Sequence, residues 1–330
     1  MATYKQIFGK QVKFLSADPP SSVGEGQIWF NSTSNTLKAS VNVAAWASGN
    51  ASPVAKRSGG SAGTQTANVI FAGAAPGMTN VTGEYDGTNW TTSGVYGASS
   101  YALSGFGTQT AAIGMGGMTA PGAVPTPFEY DGSTWTATPG VNTSAAAMGG
   151  AGTTAAGLKF GGSTIPFASV LTASEEWNGS AWTASPGNLN TARAYLGGFG
   201  TQTAALGAGG YKPANATEAE TYDGSTWTAT TAMPAARMMA GCSGTQTAAF
   251  YFGGNTPLTP SITDATGQNF DGSSWTTSPA SLATGRRNLT GSPSGTSTTA
   301  LAVAGTAAPG NVANTEEFTE AVTVQTITTS

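Results

Sequence analysis

Few residues of this chain have side chains that could do chemistry. Among its 330 residues there is no histidine, the commonest general base and metal ligand in proteins, and only one cysteine. Two pairs of adjacent carboxylates, Glu175-Glu176 and Glu316-Glu317, could supply the acid and base of a glycosidase. Both pairs lie just before the aromatic position of an internal repeat, and residues at a repeated position are usually structural. We therefore predict no enzyme activity, no cofactor and no metal site.

Basic side chains recur at the start of glycine-rich segments. Arg57, Arg193, Arg237 and Arg287 have two interpretations. They line a central channel and hydrogen-bond to the backbone or to turn carboxylates, or they form a basic ring that binds an anion. We favour the first interpretation because only some repeats carry the arginine. Cys242 lies in one of these segments and is predicted to be an inert, buried thiol.

The element that positions these side chains is a hairpin motif that occurs five times. Each copy consists of an aromatic residue, an Asp-Gly or Asn-Gly pair, two small residues and a Trp. Asp-Gly supplies the positive φ of a tight hairpin turn, and the flanking aromatics favour strands. The motif returns about every 45 to 48 residues, a period typical of solenoids and propellers. The five aromatic pairs are Tyr85/Trp90, Tyr130/Trp135, Trp177/Trp182, Tyr222/Trp227 and Phe270/Trp275.

Each repeat also contains a small-residue strand, a Gly-Thr turn, an Ala-rich strand that ends in a Gly pair, and a variable loop. No segment has helical periodicity, so the chain is predicted to be all-β. One repeat cannot bury its apolar faces alone, whereas several small sheets around an axis can. Six repeats fit between residues 52 and 330, which predicts a β-propeller of six four-stranded blades. A seventh blade built from residues 27–50 is the alternative.

The order of Arg, apolar strand, Gly-Gly, variable stretch, Tyr and Trp resembles the kelch repeat over residues 52–318. The resemblance implies a kelch-type propeller that closes when one chain end lends a strand to the blade of the other end. The sixth repeat departs from the motif, since Phe318-Thr319-Glu320 stands in its place and no Trp follows. Residues 46–49, the tail 322–327, or both could complete this blade. Some kelch proteins are copper oxidases, but this chain lacks the histidine ligands, so we do not expect that activity.

The first fifty residues carry a second resemblance. Residues 26–38 resemble a hairpin segment that is common in tail-fibre and other virion proteins of tailed bacteriophages. The Gly-Thr-Gln-Thr-Ala-Ala segments, with few charges, are similar to kelch-like structural proteins of marine phages. The resemblance implies a virion structural protein (a tail fibre, spike or capsid decoration), assembled in the host cytoplasm and present in several copies on a particle. Residues 1–50 would anchor it to other virion proteins and could supply the closing strand, and residues 51–330 would form the propeller.

The loops after the Gly pairs vary in length and sequence and share one face of the predicted propeller. Variable loops on a rigid scaffold are where binding usually lies. We predict that this face contacts another virion protein or a host surface glycan. Candidate contact residues in the loops are Met78, Met118, Phe167, Tyr211 and Leu258. The alternative is that these loops vary in sequence without binding a partner.

Composition narrows the possible partners. The net charge of −4 and a charged content of 8% give no general attraction to nucleic acid, and no apolar run is long enough to cross a membrane as a helix. Two further function classes stay open besides a virion protein. One is a cellular kelch-type interaction scaffold, and the other is a carbohydrate-active enzyme, which the lack of histidine disfavours.

Overall fold

The chain is built from β-strands, as the sequence predicts. The computed structural model describes residues 12–19, 26–119, 122–164, 169–256 and 263–327. In this part of the chain every regular element is a strand, and no helix long enough to cross a membrane is present. Contacts divide the chain into two compact units, Trp46–Phe318 and a smaller one that joins Met1–Ala45 to Thr319–Ser330.

The smaller unit contains the two ends of the chain. Its strands are β1 (Lys13–Leu15), β2 (Ile28–Asn31), the first part of β3 (Thr36–Gly49) and the last part of β27 (Thr315–Thr326). β1 pairs in parallel with β2, and β2 forms the predicted hairpin with β3. β27 follows on the other side of β3, where the Ile327 N–H donates to the Leu37 carbonyl at 2.8 Å.

Five blades of the larger unit are antiparallel sheets of four strands in chain order. Blade 1 has β4 (Gly60–Gly63), β5 (Asn68–Ala75), β6 (Gly77–Tyr85) and β7 (Trp90–Ser93). Blade 2 has β8 (Tyr101–Thr108), β9 (Ala111–Met118), β10 (Phe128–Tyr130) and β11 (Trp135–Ala137). Blade 3 has β12 (Gly149–Gly152), β13 (Gly157–Phe160), β14 (Ser174–Trp177) and β15 (Trp182–Ala184). Blade 4 has β16 (Gly197–Thr201), β17 (Ala204–Ala208), β18 (Ala219–Tyr222) and β19 (Trp227–Thr230), and blade 5 has β20 (Gly241–Gly244), β21 (Ala249–Phe252), β22 (Gly267–Phe270) and β23 (Trp275–Thr277).

Blade 6 combines both ends of the larger unit. Its strands are β24 (Thr299–Val303), β27 up to Phe318 and β3 from Trp46, and its loop holds the short pair β25 (Thr306–Ala307) and β26 (Gly310–Asn311). The centroid of the Trp46 ring lies 5.2 Å from that of Phe318 and 5.1 Å from that of Phe252 on blade 5. Trp46 therefore takes the place of the Trp that the sixth repeat lacks. The tail beyond Phe318 belongs to the smaller unit and does not extend this blade.

A closed ring of backbone hydrogen bonds surrounds the propeller axis. Its members precede the innermost strands, and the N–H of each donates to the carbonyl of the member before it at 2.7 to 3.2 Å. They are Ser58, Ala102, Ala147, Tyr195, Met239 and Asn288, all with φ between 54° and 59°. The Ser58 N–H donates to Asn288, so the ring closes after six members within the described residues. This closure supports six blades rather than seven.

The Gly pairs of the repeat meet the next blade. The second member has a φ of 89° to 110°, which glycine alone adopts freely, and it is glycine in every blade. Its N–H reaches the neighbour, as Gly210 shows by donating to the Arg237 carbonyl at 2.8 Å. The first member has a φ of 51° to 67°, and Ala72 and Ala304 occupy this position in blades 1 and 6. These two weaker copies of the motif thus keep glycine where the backbone requires it.

The glutamine of the Gly-Thr-Gln turns ties four of the blades, blades 1, 2, 4 and 5, to the blade before each. Gln109 of blade 2 donates to the Tyr85 carbonyl at 2.7 Å and to the Asn68 carbonyl at 3.2 Å, both in blade 1. Gln65, Gln202 and Gln246 make the same two contacts. The partners are backbone carbonyls, which every blade offers whatever its side chains, so one turn sequence serves several blades.

Aromatic rings fill the gaps between blades. The Trp135 ring of blade 2 lies 4.6 Å from Phe71 of blade 1, and the Trp227 ring of blade 4 lies 4.7 Å from Phe160 of blade 3. Within a hairpin the two motif aromatics also touch, with 4.8 Å between the Tyr130 and Trp135 centroids. These distances are those of favourable aromatic pairs, so the repeated rings hold the blades together.

Candidate binding face

The loops after the Gly pairs share one end of the blades, because strands alternate in direction and the Gly-Thr and Asp-Gly turns lie at the other end. Each loop begins at a backbone pair next to the hydrogen-bond ring. Examples are Ala194 with Tyr211 and Met238 with Asn255. We call this end of the propeller the loop face. Its loops start from fixed points on a rigid base, while their sequences vary.

The structure places the predicted contact residues in different environments. Met78 and Tyr211 are exposed, each with 39% of its surface accessible. The expectation that Met118 lies exposed in its loop is wrong, since it is only 8% exposed and packs in a cluster of alanines. Phe167 and Leu258 lie outside the described residues. Of the three candidates that the structure describes, Met78 and Tyr211 are therefore exposed to a partner.

An exposed side chain that sequence reasoning missed is Val95, with 63% of its surface accessible. It lies on the link between β7 and β8, and the links between blades reach the loop face as well. The only signal for it was an apolar residue in a segment rich in Ser and Gly. Isolated exposed apolar residues are common, so sequence alone gave no reason to select it.

A cavity opens at the centre of the loop face. It measures about 90 Å³ and is lined by the ring members and their neighbours. It continues into a space of about 100 Å³ between the inner strands. At the far end Ser294 of blade 6 reaches across the axis, donating from its N–H to Gly63 at 3.1 Å and from its hydroxyl to Gly107 at 2.6 Å. Because these contacts with blades 1 and 2 cross the far end of the cavity, a ligand would enter it from the loop face.

The two sides of the cavity mouth differ chemically. On one side the half-buried Tyr195 lines the cavity. The half-buried Tyr101 packs with it against one cluster that includes Ala102, Ala146 and Ala147. Burial, with a smaller effect of the nearby Tyr101, raises the pKa of Tyr195 to about 12, so its phenol stays neutral at physiological pH. Sequence analysis selected neither tyrosine. The available signal for Tyr195 was a Tyr at a position where other repeats have Ser, Ala, Met or Asn.

The other side of the mouth is polar. It carries Ser58 and Asn288, which are adjacent in the ring, and the exposed Arg57 stands next to Ser58. Arg287 precedes Asn288 and is half-buried. Two of the four arginines selected from the sequence thus lie near the mouth, on neighbouring blades.

The other selected arginines lie inside the blades and do not line the channel. Arg193 and Arg237, together with Arg286, are at most 1% exposed. Each donates to backbone carbonyls and forms a buried ion pair. The pairs are Arg193 with Glu220 at 3.0 Å, Arg237 with Asp264 at 2.9 Å, and Arg286 with Glu316. These cations are already neutralised within their own blades, so they do not form a ring for a free anion.

Blades 3 and 1 vary this ion pair. In blade 3 Ala145 takes the arginine position, and the cation comes from the adjacent strand as Lys159, whose Nζ lies 2.9 Å from Glu175. In blade 1 Lys56 takes the arginine position and is 2% exposed, and its Nζ donates to the Val81 carbonyl at 3.2 Å. Burial lowers the pKa of Lys56 to about 7.

Both carboxylate pairs that could have served as acid and base are engaged. The first residue of each pair joins a buried cation, and the second accepts a hydrogen bond from a tyrosine of the next blade. The four contacts are Glu175–Lys159, Glu176–Tyr222, Glu316–Arg286 and Glu317–Tyr85. Burial, aided by Glu176, raises the pKa of Tyr222 to about 12, which keeps it a donor. The arrangement holds blades together and leaves no carboxylate pair facing a common space.

The aspartates of the hairpin turns are turn formers. Asp131 accepts the backbone N–H groups of Thr134 at 2.7 Å and Ser133 at 2.8 Å through one carboxylate oxygen. These bonds, with those from the two hydroxyls, hold the pKa of Asp131 well below its usual range. Among the described residues no three His, Cys, Asp or Glu side chains group as metal ligands would.

Cys242 lies on the inner strand β20 and borders the deeper part of the axial cavity. It is half-buried and free of any disulfide. Burial raises its pKa to about 11, so the sulfur is protonated at physiological pH and a weak nucleophile. The sequence predicted an inert, buried thiol. The thiol is protonated as this predicts, but it is half-buried rather than fully buried.

Comparison with known proteins identifies the class of fold. No known family matches the chain, and no curated protein matches it in sequence. Its structure resembles 233 solved protein chains. One of them is the bacterial protein YjhT, with a TM-score of 0.68 and 14% sequence identity over 84% of this chain and 99% of that chain. At this identity the likeness shows the fold alone, and it agrees with the ring of blades: the larger unit is a β-propeller.

Proposed function

We propose that this chain is a non-enzymatic structural protein of a tailed-bacteriophage virion, attached through its smaller unit and displaying the propeller. The division of the chain into two units supports this most directly. The chain passes between them twice, once within β3 and once within β27. Both passages lie inside strands.

The smaller unit has an apolar face suited to attachment. The register pairs Phe14 with Phe30 and Phe30 with Leu37, and Ile327 lies opposite Leu37, so these four side chains form one row on the same side of four strands. Phe14 is 68% exposed and Ile327 is 41% exposed, and Val43 on the same side of β3 is 42% exposed. Exposed apolar patches on soluble proteins mark interaction sites. We assign this face to contacts with other virion proteins.

The propeller is suited to display because its base is rigid and its loops are not conserved between repeats. The hydrogen-bond ring and the glutamine contacts join each blade to its neighbour through backbone groups. Loop sequences can therefore change without loss of these contacts. The loop face is the surface that we propose to contact a neighbouring virion protein or a host surface glycan.

The engagement of Glu175-Glu176 and Glu316-Glu317 supports the non-enzymatic part of the proposal. The second candidate is a cellular interaction scaffold, because the likeness to the bacterial YjhT is a likeness of fold and fits both settings. The two candidates, a virion protein and a cellular scaffold, differ in whether the protein is recovered from virus particles or from a cellular complex.

The test is incorporation into particles. Phage assembled with the Phe14→Ser/Ile327→Ser double variant should lose this protein during density-gradient purification. The wild type should stay bound, and so should Val95→Ser, a matched control that removes an equally exposed apolar side chain from the propeller. Retention of the double variant overturns the attachment face. Absence of the wild type from particles, with recovery in a soluble cellular complex, overturns the virion role and favours the scaffold.

A further inference from the structure

The mouth of the axial cavity has the features of a ligand site. Tyr195 lines the cavity, and the half-buried Tyr101 packs against the same alanine cluster, which includes Ala146 and Ala147. Ala147 also lines the cavity and has no side chain beyond Cβ. The mouth thus has one half-buried aromatic ring beside a small apolar surface, and a second tyrosine packs on the same cluster.

The backbone of Tyr195 is a second, independent observation. Tyr195 is a member of the hydrogen-bond ring and has a φ of 55°, a conformation that costs free energy for a bulky residue. The ring needs only a backbone at this position, since Ser58, Ala102 and Ala147 complete it with small side chains and Met239 with a larger one. Tyr195 is the one member of the six that carries an aromatic side chain, and it lines the cavity mouth.

The opposite side of the mouth supplies polar partners. The Ser58 hydroxyl and the Asn288 amide, which line the cavity, can both donate and accept hydrogen bonds. Small-ligand sites combine an apolar wall with a few convergent polar groups in this way. A fitting ligand has an apolar face for Tyr195 and an edge of hydroxyl groups for the polar side.

We propose that this mouth binds one sugar ring of a glycan, held against the ring of Tyr195. A pyranose has this division, with C–H groups on its faces and hydroxyls at its edge. The cavity of about 90 Å³, spanned at its far end by Ser294, admits one ring rather than a peptide segment. The inference deepens the proposed display function, on which its biological use rests, by naming the ligand class and the subsite.

The experiment measures binding of free monosaccharides to the full chain by saturation-transfer NMR. Glucose, galactose, mannose and N-acetylglucosamine are the probes. At least one of them should bind the wild type, and Tyr195→Asn should weaken its binding by about tenfold or more. Asparagine occupies the equivalent ring position in blade 6 at a φ of 54°, so the variant keeps the backbone ring. Tyr211→Asn is the matched control, because Tyr211 is an exposed tyrosine of the loop face that does not line the cavity. The affinity of this variant for the sugar should stay within about twofold of the wild-type affinity.

Folding is followed in parallel. Tyr195→Asn should keep a melting temperature within about 2 °C of the wild type. If this variant unfolds, Tyr101→Leu, which changes the packing beside Tyr195 and keeps an apolar strand residue, tests the site instead. Absence of binding by the wild type to all four probes overturns the inference, as does equal binding by the wild type, Tyr195→Asn and Tyr101→Leu. A protein that is present in virions yet binds no sugar refutes this inference alone, whereas loss of the protein from particles refutes the proposed function and leaves the sugar site untouched.

Discussion

Lys56 gives the sharpest prediction about stability. It is buried in blade 1 at the position where blades 4, 5 and 6 have an arginine with an acidic partner. The partner is missing because Gly83 stands two residues before the aromatic Tyr85, where Glu220 precedes Tyr222 in blade 4. Its Nζ donates to the Val81 carbonyl at 3.2 Å. The folded chain therefore holds this amine in surroundings that disfavour its charge.

The sign and size of the pH effect follow from this burial. Burial lowers the pKa of Lys56 from 10.5 to about 7, so the unfolded chain binds the proton more tightly between these pH values. Stability must then rise with pH across this window, at up to about 1.4 kcal/mol per pH unit. Between pH 7 and pH 9 the gain is about 2 kcal/mol, since the folded state is already partly deprotonated at pH 7.

The assay is urea unfolding of the wild type and Lys56→Met at pH 7, 8 and 9. The free energy of unfolding of the wild type should rise by about 2 kcal/mol over this range, and that of the methionine variant should lack this rise. Lys212→Met, which removes a half-exposed lysine of the same propeller, is the control and should follow the wild type. Parallel profiles for the wild type and Lys56→Met would refute the argument that a buried, unpaired amine limits stability near neutral pH.

Three further predictions concern closure of the propeller. Trp46→Ala should cost about 3–5 kcal/mol of unfolding free energy, because it empties the space between blades 5 and 6, and an unchanged urea midpoint would contradict the closing role of this strand. Gln109→Ala should lower the unfolding free energy by about 1–3 kcal/mol, because two carbonyls of blade 1 lose their donor. Thr154 stands at the same turn position of blade 3, and its side chain makes no such contact. Thr154→Ala should therefore cost less than about 0.5 kcal/mol. Gly254→Ala should cost more than Gly253→Ala, by about 1 kcal/mol or more, because φ is 93° at the former and 67° at the latter; equal melting temperatures would show that the φ argument fails.

The repeat made most of the fold predictable. The Asp-Gly hairpins carry their own turn chemistry, so strands on both sides of residues such as Asp131 could be placed from the sequence. The departure of the sixth repeat likewise pointed to a borrowed strand at Trp46, because a propeller blade without its outer strand leaves aromatic surface exposed. These features are local in sequence or repeat at a fixed spacing.

The features that sequence could not give depend on contacts between strands. Lys159 replaces an arginine from a different strand, so a comparison of repeats finds Ala145 and misses the cation. Met118 follows a Gly pair like exposed loop residues do, yet the alanines of the neighbouring blades bury it. Tyr101 and Tyr195 belong to separate blades, and only the closed ring brings both to one cluster of alanines.

Quantitative mass spectrometry of purified particles tests the central claim most directly. The proposed display function predicts this chain in the particles at a constant ratio to the major capsid protein, and the ratio should persist through repeated gradient purification. A chain that is missing from purified particles, or whose ratio falls with each purification step, would contradict a structural role in the virion.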